Sequence, residues 1–401
     1  GLGEGGSFEF TISSGQGLNL IKAEAEDFAG NPSKVVQSYY FSYNYYPMDT
    51  GNYKDSLVND GALIYLNKES FKKLSEIAGA MIGGFDIGAM IPSPAGEVSV
   101  WPCDYKIYVK DITYDTPKIN LLPINGGIQF KVTVPNFSAK FEVDGGAWYC
   151  VSPSGNIKAS SIVVAADIQL TVGNDGKVHS TVTQTNVTID GLDITMDGFI
   201  GWLFDWLVDW VTSSFKEQLE QQFEDTLAQE LAGFIEEMFN QAAISQEFPI
   251  DPFFGEGEPV VLKINTEISK LEFTTEGGLI GLKGAFNADK NIELELKPLG
   301  SIGRASCLND PPETFSLPKA HELEGAAYDD FINEALFSIW WGGLLNMTLT
   351  DKDLGGADLS QYGITDLTVT TFFLLPPIMT SCNEKGQLVA QIGDLFVDAT
   401  M

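Results

Sequence analysis

The chain has 401 residues, 44% of them hydrophobic, and its 55 Asp and Glu against 23 Lys and Arg give a net charge of −32. That length is material for two or three domains with sizeable cores. The charge argues against nucleic acid as a partner, because phosphate binding needs clustered Lys and Arg, and against electrostatic adhesion to anionic head groups. Its simplest meaning is a solvated acidic surface. No signal peptide is visible, no apolar run reaches the ~20 residues of a membrane span, and a chain opening on Gly1 is expected to be a mature or excised piece of something larger.

Residues 1–46 read as strands: "LNLIKAEAED" alternates apolar and polar residues, "FAGNP" is turn chemistry, and "KVVQSYYFSY" alternates again. This pattern resembles the last hairpin of a bacterial immunoglobulin-like repeat, and it predicts a short all-β segment holding about three of the ~7 strands of a full sandwich. A polar linker follows at 47–60. After "GALIYL", Asn67 can cap a helix over about 68–83, where Phe71, Leu74, Ile77, Ala78, Met81 and Ile82 make one apolar stripe before Gly83 and Gly84.

From Val98 to Asp197 strand follows strand, with "GNDGK" as a hairpin turn and Ile162, Val164, Ala166 and Ile168 on one face of "ASSIVVAADIQLTV". Long antiparallel sheets with one apolar face must cover it. The cover is the stretch from Gly201 to Phe239, where Leu203, Leu207, Val211, Phe215, Leu219, Phe223, Leu227, Leu231 and Ile235 recur every four residues. Trp202, Trp206 and Trp210 flank the early turns, and Asp205 and Asp209 fall on the polar side. At 1.5 Å per residue, ~40 residues make a rod of roughly 60 Å, which suits a long tube of sheet. Interfacial helices favour Lys and Arg on the polar face, so the aspartates point to a lid with its wet side outward rather than a membrane anchor. Strands return over 251–320, a second helix is predicted over about 327–341 with Phe331, Ile332, Ala335, Leu336, Ile339 and Trp340 on one side, and strand-like runs close the chain.

This order of elements resembles the bactericidal/permeability-increasing, tubular lipid-binding (TULIP) family. The resemblance covers about 60–401 and is carried by "DGALIYLNKESFKKLSE" (60–76), "GFIGWLFDWLVDWVTSSFKEQLEQQFEDTL" (198–227) and "PETFSLPKAHELEGAAYDDFINEALFSIWWGGLLNMTLTDKDL" (312–354). It implies an α+β fold in which long twisted antiparallel sheets wrap round long helices, as two half-barrels joined by a central sheet. The implied division is 1–46 as the end of an immunoglobulin-like domain, 47–250 as a first lipid-binding domain, and 251–401 as the central sheet with a partial second one. Three features depart from the family. No second long helix follows, no cysteine between Cys150 and Cys307 can tie late strands to the long helix, and "VGNDGKVHS" carries one Lys and one Asp where lipopolysaccharide-binding members have a basic tip. Endotoxin neutralisation is therefore disfavoured.

Four cysteines allow three disulfide connectivities. Pairing within each half, Cys103 with Cys150 and Cys307 with Cys382, is preferred, with four buried thiols as the alternative. No CxxC spacing and only two histidines exist, so no zinc site is expected. His179 and His321 lack a nucleophile pattern, GxSxG is absent, and the oxygen-rich stretches 351–358 and 287–295 lack the placement of a calcium loop, so no catalysis and no cofactor or metal are expected. The function expected is non-enzymatic binding, and possible transfer, of acyl-chain lipid in an apolar tube at a bacterial envelope or outside the cell, with transient membrane contact as a further partner. The residues expected to line the tube are Phe71, Leu74, Ile77, Met81, Leu203, Leu207 and Val211, with Phe331, Leu336 and Ile339 in the second half. The competing reading is a structural or adhesive surface protein with a filled core.

Overall fold

The computed structural model describes residues 9–48, 52–81, 88, 91–197, 201–222, 229–252, 258–303, 319–350, 353, 367–380 and 388–400. A hairpin of β1 (Gly17–Glu26) and β2 (Pro32–Phe41) precedes the short β3 (Tyr45–Tyr46), and β4 (Val58–Asn67) runs straight into α1 (Lys68–Met81). Next come β5 (Gly96–Val100), β6 (Cys103–Thr113), β7 (Lys118–Ile124), β8 (Gly127–Asp144), β9 (Ser154–Val172), β10 (Val178–Asp190) and β11 (Asp193–Asp197). A helical stretch follows, made of α2 (Gly201–Trp210), a π turn (Val211–Phe215), α3 (Lys216–Gln222) and α4 (Gln229–Asn240). The rest is β12 (Ser245–Ile250), β13 (Val260–Thr274), β14 (Gly277–Ala288), β15 (Ser301–Ile302), β16 (Leu323–Ala327), α5 (Asp329–Trp341), β17 (Met347–Thr350), β18 (Thr368–Phe373), β19 (Ile378–Thr380), β20 (Val389–Gln391) and β21 (Leu395–Thr400).

The first sheet has the order β10-β9-β8-β6-β5, with β11 also on β9 and β7 on β8. Its long central strands do not keep one phase. Ile128, Phe130, Val132 and Val134 are buried on β8, then Phe137, Ala139, Phe141 and Val143. The inward face changes from even to odd numbers at Asn136, whose φ is +51°, and the ladder passes from Pro135↔Ser161 to Phe137↔Ala159. β9 changes phase at the same level, from Ile157 and Ala159 to Ile162, Val164, Ala166 and Ile168. Asn tolerates the left-handed conformation, and the resulting corner bends the sheet while keeping its apolar side inward.

The helices close this sheet with apolar and polar groups together. Leu207, Trp210, Val211, Ala232, Ile235 and Phe239 are buried in the same core as the strands. Asp205 and Asp209 are exposed. Glu220 accepts from Val187 N (2.8 Å), Glu236 from Ser180 N (2.9 Å), and Asn240 exchanges hydrogen bonds with Val178 N and O (2.7 and 3.1 Å). β10 is an edge strand, and an open edge invites pairing with another chain. The polar side chains of the helices cover that edge, a role that helical periodicity alone does not reveal.

The second sheet has the order β12-β13-β14-β4-β16, so strands from early and late in the chain share it. Ile268, Phe273, Ile280 and Leu282 carry its apolar face into the first core, where Phe273 meets the rings of Phe71 (6.2 Å) and Phe239 (5.5 Å) edge-on. In coarse terms the molecule is mostly sheet, two curled antiparallel sheets with few helices.

Asn67 caps α1 as its position predicts: its Oδ1 accepts from Glu69 N (2.9 Å) and Ser70 N (3.2 Å). The stripe on α1 is rotated from the expected one. Phe71, Ser75 and Ala78 are buried, Leu74 is half-buried, and Ile77 is 56% exposed. The cause is Ser75, whose hydroxyl accepts from Leu121 N (2.7 Å) and donates to Phe71 O (2.7 Å). Drawing that hydroxyl inside turns Ile77, two residues and about 200° away, to the surface. Cys103 and Cys150 form a disulfide with Cα atoms 6.0 Å apart. Cys307 and Cys382 lie outside the described residues.

Candidate functional site

An apolar cleft lies in the second half, flanking α5. It encloses about 570 Å³, within the range of small-molecule and lipid sites. The 294–302 segment supplies Leu294, Leu296, Leu299 and Ile302, α5 supplies Asn333, Phe337 and Trp340, 374–378 supplies Leu374, Leu375 and Ile378, and β2 supplies Gln37 to Tyr40. Its polar lining residues include Gln37, Ser38, Glu295 and Lys297. A mostly apolar lining with a few polar side chains suits a chain-like apolar ligand with a polar end.

The fold holds these walls by hydrogen bonds rather than apolar contact alone. Asn333 donates to Met379 O (2.8 Å) and accepts from Met379 N (2.6 Å), which pins β19 to α5. Trp340 Nε1 donates to Phe373 O (2.7 Å), so its polar atom is satisfied while the indole lines the cleft. Ser38 donates through N (2.7 Å) and Oγ (2.8 Å) to Asp394, tying the base of the first hairpin to the rim. β3 pairs with β15, Ser301↔Tyr46, and Tyr46 donates to Asp330 Oδ2 (3.0 Å).

α5 buries an unexpectedly polar face: Asp330, Asn333, Glu334 and Ser338 are inside with Phe337 and Trp340. Glu334 is 0% exposed, and neither carboxylate oxygen has a hydrogen-bond partner of normal geometry. Burial pushes its carboxyl up to about 9; the Phe286 backbone amide pulls the other way, and nearby Asp330 adds to the rise. Glu334 is therefore a neutral acid at pH 7. Burial, with Asp330 beside it, likewise raises the Tyr46 phenol.

The residues expected to line a tube are distributed differently. None of those whose side chains are described borders the cleft. Phe71, Leu207 and Val211 are core residues, Leu74 packs against that core, and Ile77 is exposed. The side chains of Met81 and Leu203 lie outside the described residues. Phe331, Leu336 and Ile339 are half-buried on α5. Phe331 is used elsewhere: a Cβ at Gly61 or Gly284 would fall 2.8 or 2.7 Å from its ring, so the two glycines form a seat that fixes α5 on the sheet. With α5 packed against β14, β15 and β19, apolar spacing alone could not say which side faces a cavity. The cleft walls from 294–302 and 374–378 are short, irregular segments with no period to read; the only signal is the local density of Leu, Ile and Pro.

His179 contacts Asp175 (3.1 Å), and the His321 amide, with that of Lys319, donates to Glu324 (2.8 Å each).

No protein-family model matches the chain, and no curated protein matches it. Among solved structures, the chain is similar to the crystal structure of a lipopolysaccharide binding protein, at 12% identity and a TM-score of 0.47, over 81% of this chain and 71% of that one.

Proposed function

We propose that this chain is a non-enzymatic lipid-binding protein of the TULIP type, working in a periplasmic, cell-surface or secreted setting. The single observation that carries the reading is the 570 Å³ cleft beside α5, lined by Leu294, Leu296, Leu299, Phe337, Trp340 and Ile378. Burying an acyl chain there gains about 25 cal/mol per Å² of apolar surface. The polar end of the lipid would rest at Gln37, Ser38 and Lys297. Transfer between membranes extends the same reading, and the β1–β2 hairpin is read with it as an immunoglobulin-like segment. The Cys103–Cys150 disulfide supports the oxidising compartment. No helix among the described residues is long and apolar enough to cross a membrane.

A second reading has one observation in its favour. The helices over the first sheet bury Leu207, Val211 and Ile235 directly into its core, as a filled structural unit would.

The test is uptake of a fluorescent fatty acid, with native mass spectrometry of the purified protein. We expect co-purifying lipid or saturable uptake, and loss of uptake in Leu294→Asp and Leu299→Asp with melting unchanged. A protein that carries no lipid and takes none up belongs to the structural reading.

A further inference from the structure

The end of the first sheet carries a second apolar feature, separate from the cleft. β5 and β6 are joined by the two-residue turn Trp101–Pro102, and β8 leads to β9 through 145–153. Both connections leave the same end of the sheet, because Lys106 on β6 pairs with Asp144 on β8. The disulfide Cys103–Cys150 joins them. Two residues before each half-cystine stands a tryptophan, and the pair is solvent-facing: Trp101 is 93% exposed and Trp148 is 95% exposed. No other tryptophan among the described residues exceeds the 45% of Trp202. Tyr149, Val100 and Val151 are exposed beside them, and the rings of Trp148 and Tyr149 meet edge-on at 5.7 Å.

The charge of this tip is as unusual as its exposure. Residues 98–103, "VSVWPC", and 145–153, "GGAWYCVSP", contain no Asp, Glu, Lys, Arg or His, in a chain that is 19% charged. The tip is also held in place before any partner arrives. Besides the disulfide, Cys150 N donates to Ala147 O (2.9 Å), Val143 N to Pro153 O (2.9 Å) and Gly146 N to Asp144 Oδ1 (2.9 Å). Rings presented on such turns lose little freedom when they insert.

We propose that this disulfide-pinned aromatic tip docks on a lipid bilayer with zwitterionic head groups. Trp and Tyr are the side chains suited to the head-group level, where an apolar body meets a polar tip. The rings stand out from turns rather than lining a hollow, which fits a soft, laterally continuous interface better than a complementary pocket. The partner is zwitterionic rather than anionic because the chain carries −32 and the tip has no Lys or Arg to offset repulsion. The docking does not depend on the cleft holding lipid; the two readings stand or fall separately.

The test uses the whole chain with vesicles of phosphatidylcholine. Wild type should co-sediment with them, and brominated phosphatidylcholine should quench part of its tryptophan fluorescence. Trp101→Ala and Trp148→Ala should each weaken partition roughly tenfold, from the apolar ring area withdrawn from the interface. The double variant should lose the quenching while keeping the wild-type melting midpoint and fatty-acid uptake. Replacing a third of the lipid by phosphatidylglycerol should weaken binding. The proposal is overturned by wild type that ignores phosphatidylcholine vesicles, by a double variant that binds them as wild type does, or by binding that requires the anionic lipid. The first two results would leave the tip as a protein-docking surface or a bare turn.

Discussion

The helical cover of the first sheet and helix α5 on the second both press on antiparallel strands, but they divide their polar and apolar groups in opposite ways. The first cover puts Leu207, Val211 and Ile235 in the core, leaves Asp205 and Asp209 in water, and uses Glu220, Glu236 and Asn240 to close the β10 edge. α5 takes Asp330, Asn333, Glu334 and Ser338 inside and borders an open cleft with Phe337 and Trp340. The first arrangement is what stability by burial demands. The second places polar groups in the interior next to a cavity, and buried polar groups cost free energy unless fully satisfied. A region that tolerates that cost beside a hollow is where a ligand site is expected.

Five variants test this contrast. Leu207→Ala should destabilise by about 2–5 kcal/mol in urea unfolding, because its cavity would be enclosed. Leu299→Ala on the cleft wall should stay within about 0.5 kcal/mol, since the side chain it removes is mostly exposed. Equal losses at the two sites would erase the distinction between a filled half and a hollow one.

Glu334→Gln should raise stability near neutral pH, by up to about 3 kcal/mol at pH 7. The folded carboxyl is raised to about 9 from an ordinary 4.5. Between those values the folded state holds a proton that the unfolded state has released, so wild-type stability falls as pH rises. Below the lower value both states are protonated and the effect vanishes. Melting curves from pH 4 to pH 8 should therefore diverge between wild type and variant as pH rises; parallel curves would mean Glu334 is solvated or paired.

Asn333→Ala should cost about 1–3 kcal/mol, because both Met379 backbone groups lose their partner. It should also loosen the cleft wall, visible as faster amide exchange at Ile378–Thr380. Asn67→Ala should cost about 1 kcal/mol from the lost cap of α1, with ligand uptake unchanged.

Element type and order were legible in the residues. The Asn67 cap, the helix periods and the long alternating strands are local patterns, whereas the Cys103–Cys150 pairing was a preference among three connectivities until the fold brought the two together. The faces were less legible. Ile77 reads as a stripe residue and is exposed, because one buried serine hydroxyl sets the rotation of α1. Phe331 reads as cavity lining and sits on Gly61 and Gly284, because two distant strands lack side chains there.

The residues alone establish a strand-rich, strongly acidic chain with a helical stretch that has to cover a sheet; the single rod expected over Gly201–Phe239 is instead α2, a π turn, α3 and α4 among the described residues. Periodicity and charge are properties of neighbouring residues, and they survive without knowledge of the partners. Only the tertiary structure decided where the hollow lies, because a cavity is the space left by segments far apart in the chain. Here those segments are β2, 294–302, α5 and 374–378. It also decided that Trp101 and Trp148 share one end of the sheet, because that depends on the register of β6 against β8 and on the disulfide that joins their turns.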